Sequence, residues 1–385
     1  MGERLSATEL TALIRRVFAP TPHDRRLAIL VDLPDRGVPD HPAWRVRREL
    51  AAGWAAGLRG QRDSLGLEVS LVLYRNVGMG NADLPARAWI VAPDDVPEAA
   101  EALDPGASVP FDEVFASHSV LLAPTEFSAT APLKLATRRH GFRAATMPGF
   151  TAAMIPALRL DYGEVRRRVA ILKGLLDRAV RATLRFTVDG RDAHTLVLDL
   201  RHRLAHASDG ILDTPGVAGN LPSGEAYIVP YEGELPGVPS ESAGTLPVQL
   251  GPDVVVFEIA ANRAVRVSGA GPAAREQERL LAAEPAYGNL AELGLGVLGE
   301  LGVEPSGETL LDEKLGLHVA FGRSDHFGGQ IGAAQFSRPE AVVHIDRIYL
   351  PGLQPRVVPS RVELLGPDGR SIGLMRDGVY ARDVL

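Results

Sequence analysis

The chain has 385 residues, with 41 basic and 48 acidic side chains, a formal net charge of −7 and 45% hydrophobic residues. That balance suits a globular chain long enough for two domains and excludes a strong electrostatic pull toward nucleic acid or an anionic membrane surface. Cysteine is absent, which excludes disulfides, thiolate metal sites and a cysteine nucleophile.

A metal, if held, must therefore be held by His, Asp, Glu, Tyr or water, ligands that select hard or borderline ions such as Zn, Mn, Co, Mg or Fe(II). The sequence opens without an apolar signal core and contains no run of about 18 apolar residues, so a cytoplasmic protein with no membrane partner is the expectation. Lysine occurs only at Lys134, Lys173 and Lys314 in an arginine-rich chain. A retained lysine points to a place where a compact point charge is wanted.

In chain order, Ser6-Ala7-Thr8-Glu9 is a capping-box start, and Leu10, Leu13, Ile14 and Val17 continue it at helical spacing. Residues 27–32 form a continuous apolar run, read as a buried strand. A helix over 43–58 carries Trp44 and Trp54, and 67–74 reads as the next strand. Further strands are predicted over 88–91, 119–122 and 143–147, with helical pieces near 111–115 and 133–139. Strands alternating with helices predict an α/β layer domain over 1–154.

No Gly-x-Gly-x-x-Gly follows the first strand, and Gly78-Met79-Gly80-Asn81 reads only as a flexible turn, so no nucleotide cofactor is expected. Ser117-His118-Ser119 has no Gly-x-Ser-x-Gly elbow beside it and does not indicate a serine hydrolase.

The pattern changes near residue 150. One long helix is predicted over 162–182, then a hairpin of 184–188 and 195–199 turned at Asp189-Gly190. Strands follow over 226–229, 254–259 and 263–267, with 231–244 read as an exposed loop. A last hairpin joins 361–365 to 371–375 through Pro367-Asp368-Gly369. Residues 155–385 thus read as a mostly antiparallel sheet domain with a few helices, an α+β companion to the first domain.

Chemistry concentrates between Glu313 and Asp346. His344 and Asp346 lie two apart in a Val/Ile-rich run, and on a strand such residues point to one face. An imidazole and a carboxylate aimed at one point form a metal-ligand pair, although the two also suit a simple hydrogen bond at a sheet surface. Glu225 follows a Pro/Gly turn and opens a strand, where it is either a ligand or an exposed strand-start residue. Glu292 sits among Leu and Gly. A carboxylate buried there needs a partner, and a cation is the strongest; the bland alternative puts Glu292 on the wet side of a short helix.

The order Glu225, Glu292, His318, His344, Asp346 and its flanking words resemble the aminopeptidase T family of metal-dependent aminopeptidases. The matching segments are Asn-Leu-Pro-x-Gly-Glu at 220–225, the acidic residue at Glu292, Asp-Glu-Lys-x-Gly at 312–316, His-x-Ala-x-Gly at 318–322 and His-x-Asp at 344–346. The resemblance implies a two-metal site, with Zn, Co or Mn on Glu225, Glu292, His318, His344 and Asp346, acting on short peptides or small amides. It also implies a homodimer.

The family's tyrosine, seven residues after the first histidine, is Asp325 here, followed by His326. Asp325 is therefore expected as an added ligand and His326 as a donor or extra ligand. Glu225, Lys314, Asp325 and His326 are the residues expected to act on the substrate, with Tyr227, Phe321 and Phe327 lining the site. Ring-opening Fe(II) dioxygenases of dihydroxypyridines also look like this fold, and His318, His344 and Asp346 would supply their two-His-one-carboxylate site. A non-catalytic peptide-binding relative is the third expectation, because the tyrosine position is altered.

Overall fold

Ser6 accepts a hydrogen bond from the Glu9 amide while the Glu9 carboxylate accepts one from the Ser6 amide, and this reciprocal cap starts the helix Ala7–Phe18. The computed structural model describes residues 3–385. They form two units: the chain up to Gly163 together with Gly210–Ser223, and Glu164–Asp209 together with Gly224–Leu385.

In the first unit, β1 (Arg26–Leu33), β2 (Glu68–Arg75), β3 (Arg87–Val91), β4 (Val109–Pro110), β5 (Val120–Ala123) and β6 (Arg143–Thr146) lie in one sheet. β1 runs parallel to β2 and β5, and β5 parallel to β6, while β3 and β4 add antiparallel at one edge. The helices Phe111–Ser117 and Thr130–His140 cover the sheet, packing Phe111, Phe115 and Leu133 against Leu30, Val72, Leu121 and Ala144. Strands buried on both faces read as unbroken apolar runs, and for that reason 27–32 is legible.

The second unit begins within the helix Tyr162–Arg178. The predicted helix over 162–182 overruns it, because Arg181 already starts β7 (Arg181–Val188) and the Val180 amide bonds the Leu365 carbonyl. β7 turns into β8 (Asp192–Asp199) through Asp189 and Gly190, both with positive φ. β9 (His206–Ser208) follows. β10 (Ala218–Asn220) then returns to the first unit and pairs parallel with β6, so one linear cut after residue 154 does not describe the division.

The remaining strands are β11 (Glu225–Ile228), β12 (Ala243–Leu250), β13 (Asp253–Ala260), β14 (Arg263–Ser268), β15 (Leu290–Gly296), β16 (Leu317–Gly322), β17 (His344–Ile348), β18 (Val357–Leu365), β19 (Ser371–Arg376) and β20 (Val379–Tyr380). They make an eight-stranded sheet, β14-β13-β12-β8-β7-β18-β19-β20, and a five-stranded sheet, β17-β16-β15-β11-β9, both antiparallel throughout. The reverse face of the smaller sheet packs on the larger: the Phe321 ring of β16 meets Phe257 of β13 at 4.8 Å.

The segment 231–244 is a loop as far as Ser242, exposed over 234–237, but its ends are anchored inside the fold. Tyr231 and Ser242 are fully buried, with the Tyr231 hydroxyl donating to the Val238 carbonyl and the Ser242 hydroxyl accepting from the Asp199 amide. These anchoring contacts at its ends have no signature in hydropathy.

Candidate metal centre

Pairing across the five-stranded sheet decides which side chains share a face. Tyr227 pairs with His206 and Gly294, Gly294 with His318, and His318 with Ile348. One step along, Glu292 pairs with Ala320 and Ala320 with Asp346; a further step brings Gly322 opposite His344. Directly opposed residues point the same way and alternate residues return to that face. Glu225, Tyr227, Glu292, His318, His344 and Asp346 therefore project from one face, over a floor of Gly294, Gly296, Ala320 and Gly322.

The glycines make room. A Cβ on Gly294 would lie 1.9 Å from His318 Nε2, so the imidazole rests where a side chain of β15 would stand. That position brings His318 Nε2 to 3.2 Å from Glu292 Oε1 and 3.6 Å from Glu225 Oε2. On the other side of Glu292, His344 Nε2 lies 3.4 Å from Oε2 and 3.6 Å from Asp346 Oδ1. Two groups of potential ligands result, Glu225–Glu292–His318 and Glu292–His344–Asp346, each with ligand atoms within 4.8 Å of one another. Glu292 belongs to both and offers one oxygen to each imidazole.

The imidazoles are oriented from behind. His344 Nδ1 lies 2.8 Å from the Arg323 carbonyl and His318 Nδ1 3.4 Å from the Gly316 carbonyl. A carbonyl only accepts, so each Nδ1 carries the proton and each Nε2 turns its lone pair toward carboxylates. Lone pair facing lone pair is stable only with a proton or a cation between them. Burial alone would lower the His318 pKa, but the Glu292 hydrogen bond and the charges of Glu225, Glu292 and Asp346 push it up to about 9. Burial would raise the Glu292 carboxyl, and the hydrogen bonds from His318 and His344 outweigh it, holding the group down at about 2.

The donor set fits a metal ion. Glu225 Oε2 is buried without a hydrogen-bond partner, although its other oxygen accepts from Lys314. An orphaned buried carboxylate oxygen beside imidazole nitrogens has the chemistry to hold a cation. Lys314 is itself buried, and its ammonium bonds both Glu225 and Glu313. Burial pushes the Glu313 carboxyl up to about 8, with the charges of Glu225 and Asp346 adding to the effect against the pull of Lys314. Among the described residues, no other group of three potential ligands occurs.

Asp325 and His326 stand differently from the five. The Asp325 carboxylate is taken by Arg323, with Nε to Oδ1 at 2.6 Å, and belongs to neither ligand group. Its loop is pinned elsewhere: Glu232 accepts from the Ser324 hydroxyl at 2.6 Å, from Asn289 at 2.7 Å and from the Gln330 amide. The His326 ring lies 5.5 Å from that of His344, and burial, with the nearby His344 charge, lowers its pKa to about 4, leaving it neutral.

Phe321 does not line the site. It is the odd member of an alternating strand, fully buried on the reverse face. Tyr227 and Phe327 do border it, with ring centroids 4.8 Å apart. Glu313 and Glu232 escaped the sequence reading as functional positions. Glu313 is adjacent to Lys314, which is a usable signal; Glu232 sits in an irregular segment and gives none.

Fold and face together define a class: a two-unit α/β and antiparallel-sheet chain presenting acids and imidazoles from one sheet face. No family model matches the sequence, and no curated protein matches it. Several solved structures share the fold, among them the following two. The 2,5-dihydroxypyridine dioxygenase of Pseudomonas putida superposes with a TM-score of 0.60 at 14% identity, covering 98% of each chain. AmpT of Thermus thermophilus, an aminopeptidase T, superposes with a TM-score of 0.56 at 15% identity, covering 97% of this chain and 98% of its own.

Proposed function

We propose that the chain is a metal-dependent, aminopeptidase-like hydrolase that removes N-terminal residues from short peptides or small amides at a two-metal site. The observation that carries this reading is Glu292, one carboxylate shared by two ligand groups.

Glu225, Glu292 and His318 would hold one ion and Glu292, His344 and Asp346 the other. Ions bound there supply a water of lowered pKa and polarise an amide carbonyl. The chain's own residues do the rest. Glu292 fixes both imidazoles, and the Arg323 and Gly316 carbonyls fix their tautomers. Lys314 holds Glu225 and Glu313 side by side, and these are the acids suited to accept the attacking water's proton and return it to the leaving amine. The neutral imidazole of His326 is available as a hydrogen-bonding group at the rim.

The test is reconstitution of chelator-stripped protein with Zn, Co or Mn, followed by assay on short peptides with free and with acetylated N-termini. Metal-dependent cleavage of the free peptides alone is expected. Silence on every peptide and amide at full metal load would contradict it. A second reading, a ring-cleaving Fe(II) dioxygenase, is favoured by His318, His344 and Asp346, two imidazoles and a carboxylate on one face. One iron per chain, with oxygen uptake on a dihydroxypyridine, would select it.

A further inference from the structure

β11 sends two side chains to the site face, Glu225 and, two residues on, Tyr227. Along one row of the sheet stand His206, Tyr227, Gly294 and His318. Gly294 has no side chain, so Tyr227 and His318 are consecutive side chains in that row, on strands roughly 10 Å apart. The Tyr227 ring is clamped: His206 stacks on it at 5.2 Å with a 22° interplanar angle, and Phe327 meets it edge-on at 4.8 Å. The clamps are joined by His206 Nε2, 2.8 Å from the Phe327 carbonyl, and Phe327 in turn contacts the His344 ring at 5.5 Å.

The hydroxyl has no partner among the described residues. The four other tyrosines of this unit all use theirs: Tyr231 donates to Val238, Tyr287 to Gln277, Tyr349 to Pro247 and Tyr380 to Gly296. The Tyr227 hydroxyl makes no hydrogen bond with any described residue, although its ring is held from two sides. A buried or half-buried phenol normally finds a partner. Rigid placement with an uncommitted O–H is how a donor is kept ready for a ligand.

We propose that Tyr227 is a substrate-contacting residue whose hydroxyl donates a hydrogen bond to the oxygen that gains negative charge when the amide is attacked. The inference rests on the hydrolase reading above and adds to it a donor that the ligand groups do not contain. A neutral phenol suits that position because it supplies one O–H and no further charge.

The experiment compares wild-type holoenzyme with Tyr227→Phe, which removes one oxygen and keeps the stacked ring. Three quantities are read: metal content by elemental analysis, kcat and KM on a short peptide, and the Kd of a phosphinic dipeptide by calorimetry. The phosphinate presents a tetrahedral centre with a charged oxygen. The variant is expected to keep its metals and its KM within about 3-fold, to lose about 100-fold in kcat and to bind the phosphinate about 100-fold more weakly.

Unchanged kcat and phosphinate affinity would overturn the proposal. So would loss of metal, which would show the hydroxyl serving the ions instead of the ligand. Failure of the parent reading appears separately, in the wild type, as a fully metallated enzyme that neither cleaves peptides nor binds the phosphinate, and it removes this inference with it.

Discussion

At the scale of single residues, the site depends as much on what is missing as on what is present. Gly294→Ala adds one methyl group where the His318 imidazole lies. The ring must move, and the Glu225–Glu292–His318 group loses its nitrogen. We expect this variant to hold about one metal fewer per chain, with an unchanged far-UV circular dichroism spectrum; wild-type metal content would contradict the placement.

Glu292→Gln separates the shared carboxylate from the rest, because it weakens both groups, whereas Asp346→Asn touches one. Metal titration of the two variants should therefore show affinity lost at both sites in the first and at one in the second. His344 and Asp346 were legible because a period of two is short enough to read locally. Their convergence with Glu225 was legible only through family resemblance, since nothing local joins positions so far apart.

Asp32 offers a residue-scale prediction away from the metal centre. It is fully buried at the end of β1, accepting from the Glu126 and Phe127 amides and from Trp44 Nε1. Burial raises its pKa from 3.8 to about 6, against the pull of those amides and of Arg47. The folded state thus holds the proton more tightly than the unfolded chain. Its contribution is most favourable below pH 4 and is lost as pH rises through about 6, a swing of at most about 3 kcal/mol. Asp32→Asn removes the titration. All three tryptophans, Trp44, Trp54 and Trp89, lie in the first unit, so denaturation followed by tryptophan fluorescence reports on it. Between pH 4 and 7 the wild type should lose stability relative to the variant; a pH-independent difference would contradict the raised pKa.

At the scale of elements, β15 and β16 show why part of the fold was hidden. Leu290–Gly296 combines apolar residues with two glycines, a weak strand signal because glycine has no side chain to pack in a sheet. Tertiary structure overrides that preference: the glycines admit the imidazole, while Leu293 and Leu295 bury the reverse face. Phe321 belongs to that reverse face: alternation along β16 turns it away from His318 and Ala320, although it is close to both in sequence. Phe321→Ala should destabilise the second unit by about 3–5 kcal/mol through the cavity it leaves against Phe257 and Tyr287. Metal stoichiometry, measured well below the lowered melting temperature, should stay at the wild-type value. Loss of metal without loss of stability would place Phe321 in the site after all. β9 and β10 have three residues each, too few for periodicity to register.

At the scale of the whole molecule, the alternation of strands and helices and the later turn-rich segments revealed two kinds of architecture in the right order. They did not reveal that residues 210–223 rejoin the first unit, since a three-residue strand returning to a distant sheet has no local signature. The same scale holds the thermodynamic consequence of the metal centre. The carboxylates of Glu225, Glu292 and Asp346 outnumber the Lys314 ammonium that faces them when no cation is bound, so chelation should lower the melting temperature; each ion at 100 times its Kd contributes about 2.7 kcal/mol.

The most direct test of the account is the number of metal ions per chain, measured by elemental analysis after stripping and reconstitution, in wild type and in Glu292→Gln. Two divalent ions are expected in the wild type, with binding of both weakened in the variant. One ion in the wild type, or two that survive the loss of the Glu292 carboxylate, would contradict it.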